Sequence, residues 1–153
     1  MNPRWYGIMA SRGKKGYIHH LLEPGRMYRL MLVPGTADHF PNLDELTNDV
    51  IYRYGTQDCG YEDPRAALIP QLCAEMSVAK QMKLWERGYQ YVAAIHDRME
   101  VLDLHERMWF RLASGSDAYG TNDIYFDPQY RNGAWKPGGL FVFALRPPTP
   151  AAD

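Results

Sequence analysis

The stretch from Gln90 to His105 restricts the fold of this chain more than any other part of the sequence. An uninterrupted apolar run, Tyr91 to Ile95, ends on His96, and a short run of this kind is typical of a buried β-strand. Asp103 and His105 follow seven and nine positions after that histidine. Because these two residues are two apart, their side chains point to one face if they lie on a strand. The pattern predicts a strand that ends at His96 and a second strand beside it.

The three polar side chains of this stretch carry the donor atoms of a divalent metal site. Imidazole nitrogen and carboxylate oxygen together are a recurrent ligand set for divalent ions. If the two strands are neighbours, His96, Asp103 and His105 converge on one ion, which would be Mg²⁺, Mn²⁺ or Zn²⁺. The alternative is that His96 is a hydrogen-bonded residue at a strand end and that the spacing arises by chance.

The composition is that of one globular domain. Of the 153 residues, 46% are hydrophobic and 23% are charged, and a chain of this length can bury a substantial core. The net charge of −1 provides no overall basic field that would attract nucleic acid. The first thirty residues, however, contain six Lys or Arg residues and only one acid, Glu23. This asymmetry predicts either a local face for an anionic ligand or a solvated N-terminal segment.

Two cysteines, Cys59 and Cys73, form neither a disulfide framework nor a paired metal motif. Reduced thiols are therefore expected. No apolar stretch resembles a signal peptide or is long enough to cross a bilayer. These features predict a cytoplasmic protein without membrane contact. We expect a single domain over residues 1–146 and a disordered, proline-rich tail over residues 147–153.

Turn signals predict several short strands. Pro24 and Gly25 occupy the central positions of a type II turn, and Met27 to Val33 reads as the strand that follows it. The residues before that turn fit either a β-meander or a strand, a short helix and a second strand. Further strands are predicted over residues 89–96, 107–113, 124–126 and 140–145.

Cap signals predict two helices, so the fold class is α+β. Asn42 would cap a helix over Leu43–Tyr54 that ends at Gly55. Asp63 and Pro64 would open the second helix, which Gly88 closes. Pro70 either kinks this helix or moves its start to about Gln71. An apolar stripe at helical spacing would face the core; it comprises Leu68, Leu72, Met76, Ala79, Met82 and Leu84.

The histidine strand resembles the metal-binding motif of conjugative and mobilisation relaxases, which are HUH-type single-strand endonucleases. In that family a strand much like Gln90–His96 ends on the first metal histidine, and two more histidines follow at the same offsets. Leu102 and His105 fit this pattern, whereas Asp103 stands in place of the second histidine. The apolar strand expected after His105 is interrupted by Glu106-Arg107. Residues 28–46 and the helix before the histidine strand also resemble the family in order and direction.

The resemblance implies an antiparallel sheet with two main helices packed on it and single-stranded DNA as the partner. It also implies that His96, Asp103 and His105 hold a divalent ion, which polarises the scissile phosphate. A tyrosine near the N-terminus attacks that phosphate in the family, and Tyr17 and Tyr6 are the candidates here. The first functional hypothesis is therefore a single-stranded-DNA-binding protein that acts as a metal-dependent nickase or as an accessory factor for mobilisation.

Several other side chains are candidates for contact with nucleic acid. Lys14 and Lys15 lie beside two histidines, and Arg107 and Arg111 would form a row along one strand that contacts phosphates. Six aromatic side chains are candidates to stack on unpaired bases, and the alternative is that most of them belong to the core or to the ordinary surface; they are Trp85, Trp109, Trp135, Tyr119, Tyr125 and Tyr130.

The second functional hypothesis is a non-catalytic protein-binding module or inhibitor, encoded on a phage, plasmid or integrative element. Such a protein would occupy its partner's surface with exposed aromatic side chains and loops. Asp103 in place of histidine, the Glu106-Arg107 interruption and the near-neutral charge favour this hypothesis. The sequence contains no feature that indicates an oligomeric state.

Overall fold

A computed structural model describes the backbone of residues 22–102, 107–117, 119, 124–128 and 134–148, and the side chains of residues 22–96, 116, 119 and 134–148. The strands are β1 (Leu30–Pro34), β2 (Tyr91–Leu102), β3 (Arg107–Asp117), β4 (Ile124–Pro128) and β5 (Gly139–Ala144). The helices are α1 (Asn48–Arg53), α2 (Leu68–Glu75) and α3 (Val78–Glu86). In these parts of the chain no helix has the length and apolar character needed to cross a bilayer.

The five strands form one sheet in the order β1-β5-β2-β3-β4. Three pairings are antiparallel, but β2 and β5 run parallel, with Tyr91 opposite Gly139. The α+β class is therefore confirmed, whereas the prediction of an antiparallel sheet was wrong because the sheet is mixed. A tight turn sets the direction only of strands that follow each other in sequence. β2 and β5 are far apart in the chain, so no local signal reports their relative direction.

Apolar side chains cover both faces of the sheet. On one face Phe141 and Phe143 of β5 pack with Ile95 of β2 and with Ile51 of α1. On the other face Leu140 and Val142 of β5 pack with Val92 and Ala94 of β2, and α2 covers them with three buried side chains; these are Leu68, Ile69 and Cys73. The alternation of side chains along each strand produces the two layers. Helices thus lie on both faces of the sheet.

The first helical segment departs from its predicted bounds. Asn42 is a cap, as predicted, but of a 3-10 turn over Leu43–Glu45; its Oδ1 accepts a hydrogen bond from the Asp44 amide at 3.1 Å. α1 begins only after Thr47, whose Oγ1 accepts from the amide of Val50. The helix continues through Gly55 as a π-helical turn over Tyr54–Asp58, so the predicted end at Gly55 was wrong. Gly55 has a packing role instead, because a Cβ there would lie 2.0 Å from the Phe143 ring.

The second predicted helix is two helices. α2 begins at Leu68 rather than at Asp63-Pro64, with Pro70 in its first turn, where an amide hydrogen is not needed. The chain leaves the helix at Met76, and the Ser77 Oγ then caps α3 by accepting from the Lys80 amide at 3.2 Å. Of the predicted apolar stripe beyond this break, Leu84 packs against the core, whereas Ala79 and Met82 are exposed. Gly88 closes α3 as predicted, with a φ of 87°.

An ion-pair cluster joins the turn before β1 to the segment before α2. The Arg26 guanidinium donates two hydrogen bonds to the Glu62 carboxylate, at 3.0 and 2.6 Å. This bidentate pairing, opposed by partial burial, holds the pKa of Glu62 below its usual range. The Glu62 amide donates to the carbonyl of Ala144 at 2.9 Å. The cluster therefore fastens the segment around Glu62 to the end of β5.

We predict that Gly55→Ala lowers the free energy of unfolding by about 3 kcal/mol, because the added methyl group forces the Phe143 ring out of its place. Gly60→Ala is the control: no atom lies within 4 Å of its added Cβ, and its φ of 71° alone costs about 1 kcal/mol. Urea unfolding of both variants tests this. An equal loss in the two variants would contradict the packing role of Gly55.

Candidate functional site

His96 lies inside β2 rather than at its end. The imidazole is fully buried, with 0% of its surface exposed, and the strand continues for six more residues to Leu102. The register with β3 shifts between Ile95 and Arg98, where three steps along β2 oppose two steps along β3. Such a β-bulge leaves one extra residue on the longer strand and changes the direction of its side chains. The prediction that the strand ends at His96 was therefore wrong, since a bulge stands where the end was expected.

The length of β2 bears on the predicted metal site. Leu102 lies about 20 Å along the strand from His96, at about 3.3 Å per residue. The ligands of one ion must each lie about 2 Å from that ion. The described part of β2 runs away from His96 and does not bring the chain back toward this histidine. Asp103 and His105 lie outside the described residues, and the three-ligand site stays a prediction. Among the side chains that are described, no group of three or more His, Cys, Asp or Glu is arranged to hold a metal ion.

The structure does not test the roles of the remaining predicted site residues. Tyr6, Tyr17, Lys14 and Lys15 fall outside the residues that the structure describes. Arg107 and Arg111 are described by their backbone alone: both lie on β3, where they pair with Leu102 and Arg98. Their roles in catalysis and in binding nucleic acid therefore stay predictions.

The aromatic side chains predicted to stack on bases differ in exposure. Tyr119 is buried, and its hydroxyl donates a hydrogen bond to the Tyr89 carbonyl at 2.6 Å. Trp135 stacks on the Tyr91 ring at 5.7 Å and donates from Nε1 to Asn48. Trp85 alone of the candidates with described side chains is largely exposed. It lies on α3, which has no buried residue.

Trp85 belongs to a row of three exposed apolar side chains, which we call the α3 strip: Val78, Met82 and Trp85. Their exposed fractions are 71%, 58% and 50%. At about 100° per residue, positions i, i+4 and i+7 fall within an arc of about 60° on one side of the helix. α3 is held from another side, where Leu84 packs against the core and the Gln81 side chain donates to the Met76 carbonyl at 3.1 Å.

The sequence contained a signal for this surface that the helix prediction missed. A single helix over Asp63–Gly88 assigns Met82 to the buried stripe. Ser77 followed by a run of helix-forming residues is also a signal for the start of a helix. If a new helix starts there, the side chains after Ser77 no longer follow the helical period of the preceding helix. The cap at Ser77 therefore separates Met82 and Trp85 from the apolar stripe of α2.

A polar cluster at the π-helical turn was also missed. His39 Nδ1 and Tyr54 Oη share a hydrogen bond of 3.0 Å, and the Cys59 side chain lies near Tyr54 and Tyr61. Burial, supported by the nearby Cys59 side chain, raises the pKa of Tyr54 to about 12. Burial also raises the pKa of Tyr61. The His39–Tyr54 hydrogen bond connects the π-helical turn to the segment that follows β1.

We predict that the protein loses stability as pH rises from about 10 to about 12. The unfolded chain ionises Tyr54 near pH 10, whereas the folded chain holds it neutral up to about pH 12. Its contribution is therefore complete below pH 10 and is lost across this window. Tyr54→Phe should show a shallower decline when thermal unfolding is followed at several pH values. An identical decline in parent and variant would contradict the assignment.

Comparisons of the chain with protein-family models, with curated proteins and with solved structures find no match. The relaxase resemblance of the histidine strand is therefore neither supported nor opposed by a relative, and the case for a function rests on the geometry of the chain itself.

Proposed function

We propose that this chain is a non-catalytic protein-binding module that holds its partner through the α3 strip. The observation that carries the proposal is the exposure of Val78, Met82 and Trp85 side by side on one helix. Single exposed apolar residues are normal on a protein surface, whereas a contiguous row of large ones marks an interaction site. Tryptophan and methionine are enriched in the central parts of protein interfaces.

The contacts that hold α3 on the protein do not require its exposed side to be apolar. A nine-residue helix is not stable in water alone, and α3 is held through Leu84, Gln81 and its caps. Polar residues at positions 78, 82 and 85 would leave those contacts unchanged and would avoid exposing apolar surface to water. An apolar side that stability does not require fits a surface that is covered by another molecule.

A metal-dependent, relaxase-like nickase is the second candidate function. It is favoured by the place of His96 on β2, the middle strand of the sheet, directly at a bulge, because bulges are over-represented beside active sites. In that function His96, Asp103 and His105 would hold the ion, and Tyr17 or Tyr6 would attack single-stranded DNA. Both candidate functions fit a protein from a mobile element, an origin that the resemblance alone suggests.

We predict that the purified chain holds no stoichiometric divalent ion and is not stabilised by Mn²⁺, Mg²⁺ or Zn²⁺. Elemental analysis and thermal unfolding with each ion test this in the parent and in the His105→Ala variant. His96→Ala serves as a second variant, and we expect it to lower stability with or without metal because His96 is fully buried. A bound ion that His105→Ala removes, together with cleavage of a labelled single strand by the parent alone, would favour the nickase.

We predict that ligands of this protein bind at the α3 strip. Peptides would be selected from a displayed random library on the immobilised full chain, and their affinities measured by fluorescence anisotropy. A Met82→Ser/Trp85→Ala variant should bind them at least about tenfold more weakly, as expected for residues at the centre of an interface. Its thermal unfolding should match that of the parent, since both side chains are exposed.

The matched control for this variant is Leu43→Ser/Val50→Ser, which removes two exposed apolar side chains outside α3. We expect it to bind the selected peptides as the parent does. Equal binding by the α3 variant and the parent would contradict the proposed function.

A further inference from the structure

Three cations occupy the side of α3 that lies opposite the α3 strip. Lys80, Lys83 and Arg87 are all exposed, and at about 100° per residue they fall about 140–200° around the helix from Val78. Gln81 and Leu84 lie between the two sides and face the protein. α3 is therefore a ridge with an apolar side and a basic side, and both sides are open to water.

The cations of the basic side form no ion pair with the side chains that the structure describes. Over the side chains that the structure describes, every ion pair joins Arg26 or Arg65 to Glu23 or Glu62, and none includes a cation of α3. α3 itself contains one acid, Glu86. The charge that this ridge presents to another molecule is thus positive, although the whole chain has a net charge of −1.

We propose that the partner of α3 is an acidic protein groove that encloses the ridge from both sides. One wall of the groove is apolar and packs on Val78, Met82 and Trp85, and the facing wall carries Asp and Glu residues opposite the three cations. This inference rests on the proposed function and adds the chemistry of the partner. A helix laid into a groove, with apolar anchors at i, i+4 and i+7, is a recurrent form of protein recognition.

The two sides of the ridge together favour an acidic protein over a nucleic acid. Phosphates would pair with Lys80, Lys83 and Arg87, and Trp85 would stack on a base. Val78 and Met82 would then stay in water, because base stacking uses aromatic rings. An apolar wall covers all three residues of the α3 strip at once and therefore accounts for more of the surface.

Charge also argues against a second copy of this chain as the partner. Two copies packed through their α3 strips would leave the basic side of each helix facing away from the interface, so the three cations would have no acidic counterpart. Each copy offers only nine helical residues, which span about 13 Å at 1.5 Å per residue. An acidic groove turns the same cations into an attraction that steers the partner during its approach.

The test uses the displayed-library peptides as probes and a pair of charge reversals. Lys83→Glu reverses one cation of the basic side, and Arg53→Glu is the matched control, an exposed cation on α1 on the other face of the sheet. We expect the selected peptides to contain both apolar and acidic residues. Lys83→Glu should weaken their binding about tenfold at low salt and less at 0.5 M NaCl, whereas Arg53→Glu should change it less than about twofold.

The outcomes separate this inference from the proposed function. If Met82→Ser/Trp85→Ala abolishes binding but Lys83→Glu does not weaken it, or if the selected peptides lack acids, the acidic groove is overturned and the binding function stands. If Met82→Ser/Trp85→Ala has no effect, the proposed function itself fails. Salt-sensitive binding of a labelled oligothymidine that Trp85→Ala abolishes would replace the protein partner by nucleic acid. A dimer in sedimentation that Trp85→Ala dissociates would replace it by a second copy.

Discussion

Burial of both faces of β5 is the constraint on which the rest of the structure depends. All six residues of this strand are buried, with Phe141 and Phe143 on one face and Leu140 and Val142 on the other. β5 lies between β1 and β2 and runs parallel to β2, and parallel pairs usually occur where both faces of a sheet are covered. α1 and α2 provide the two covers. The side chains of the central strands therefore form the core on both faces of the sheet.

The burial of the central strands also determines the surroundings of His96. His96 follows Ile95 on β2 and is as fully buried as its apolar neighbours. A buried imidazole in the middle of a packed sheet is part of the interior. Of the helices that the structure describes, α3 has the weakest attachment to the core, because none of its residues is buried.

The contrast between α2 and α3 shows which apolar side chains the fold requires. α2 buries Leu68, Ile69 and Cys73 against the sheet, so its apolar side is required for folding. α3 follows after a single break at Met76 and Ser77 and turns three apolar side chains toward water. The Arg26–Glu62 cluster and the packing of Gly55 on Phe143 hold other parts of the chain near the sheet. None of these contacts depends on the exposed side of α3.

The sequence by itself determined the features that depend on neighbouring residues. Pro24 and Gly25 form the predicted turn, in which Gly25 has a φ of 74° and the Arg26 amide donates to the Glu23 carbonyl. The apolar run Tyr91–Ile95 is a strand, and Asn42 and Gly88 act at helical ends, because caps and turns involve only a few consecutive residues.

Only the tertiary structure decided the features that depend on distant residues. The parallel direction of β2 and β5 has no local signal, because residues far apart in the chain form that pair. The continuation of β2 past His96 depends on its pairing with β3. The exposure of Met82 depends on where α3 lies after the break at Ser77, whereas the helical period alone assigned Met82 to the core. A period shows which residues share a side of a helix, but contact with the rest of the fold determines which side is buried.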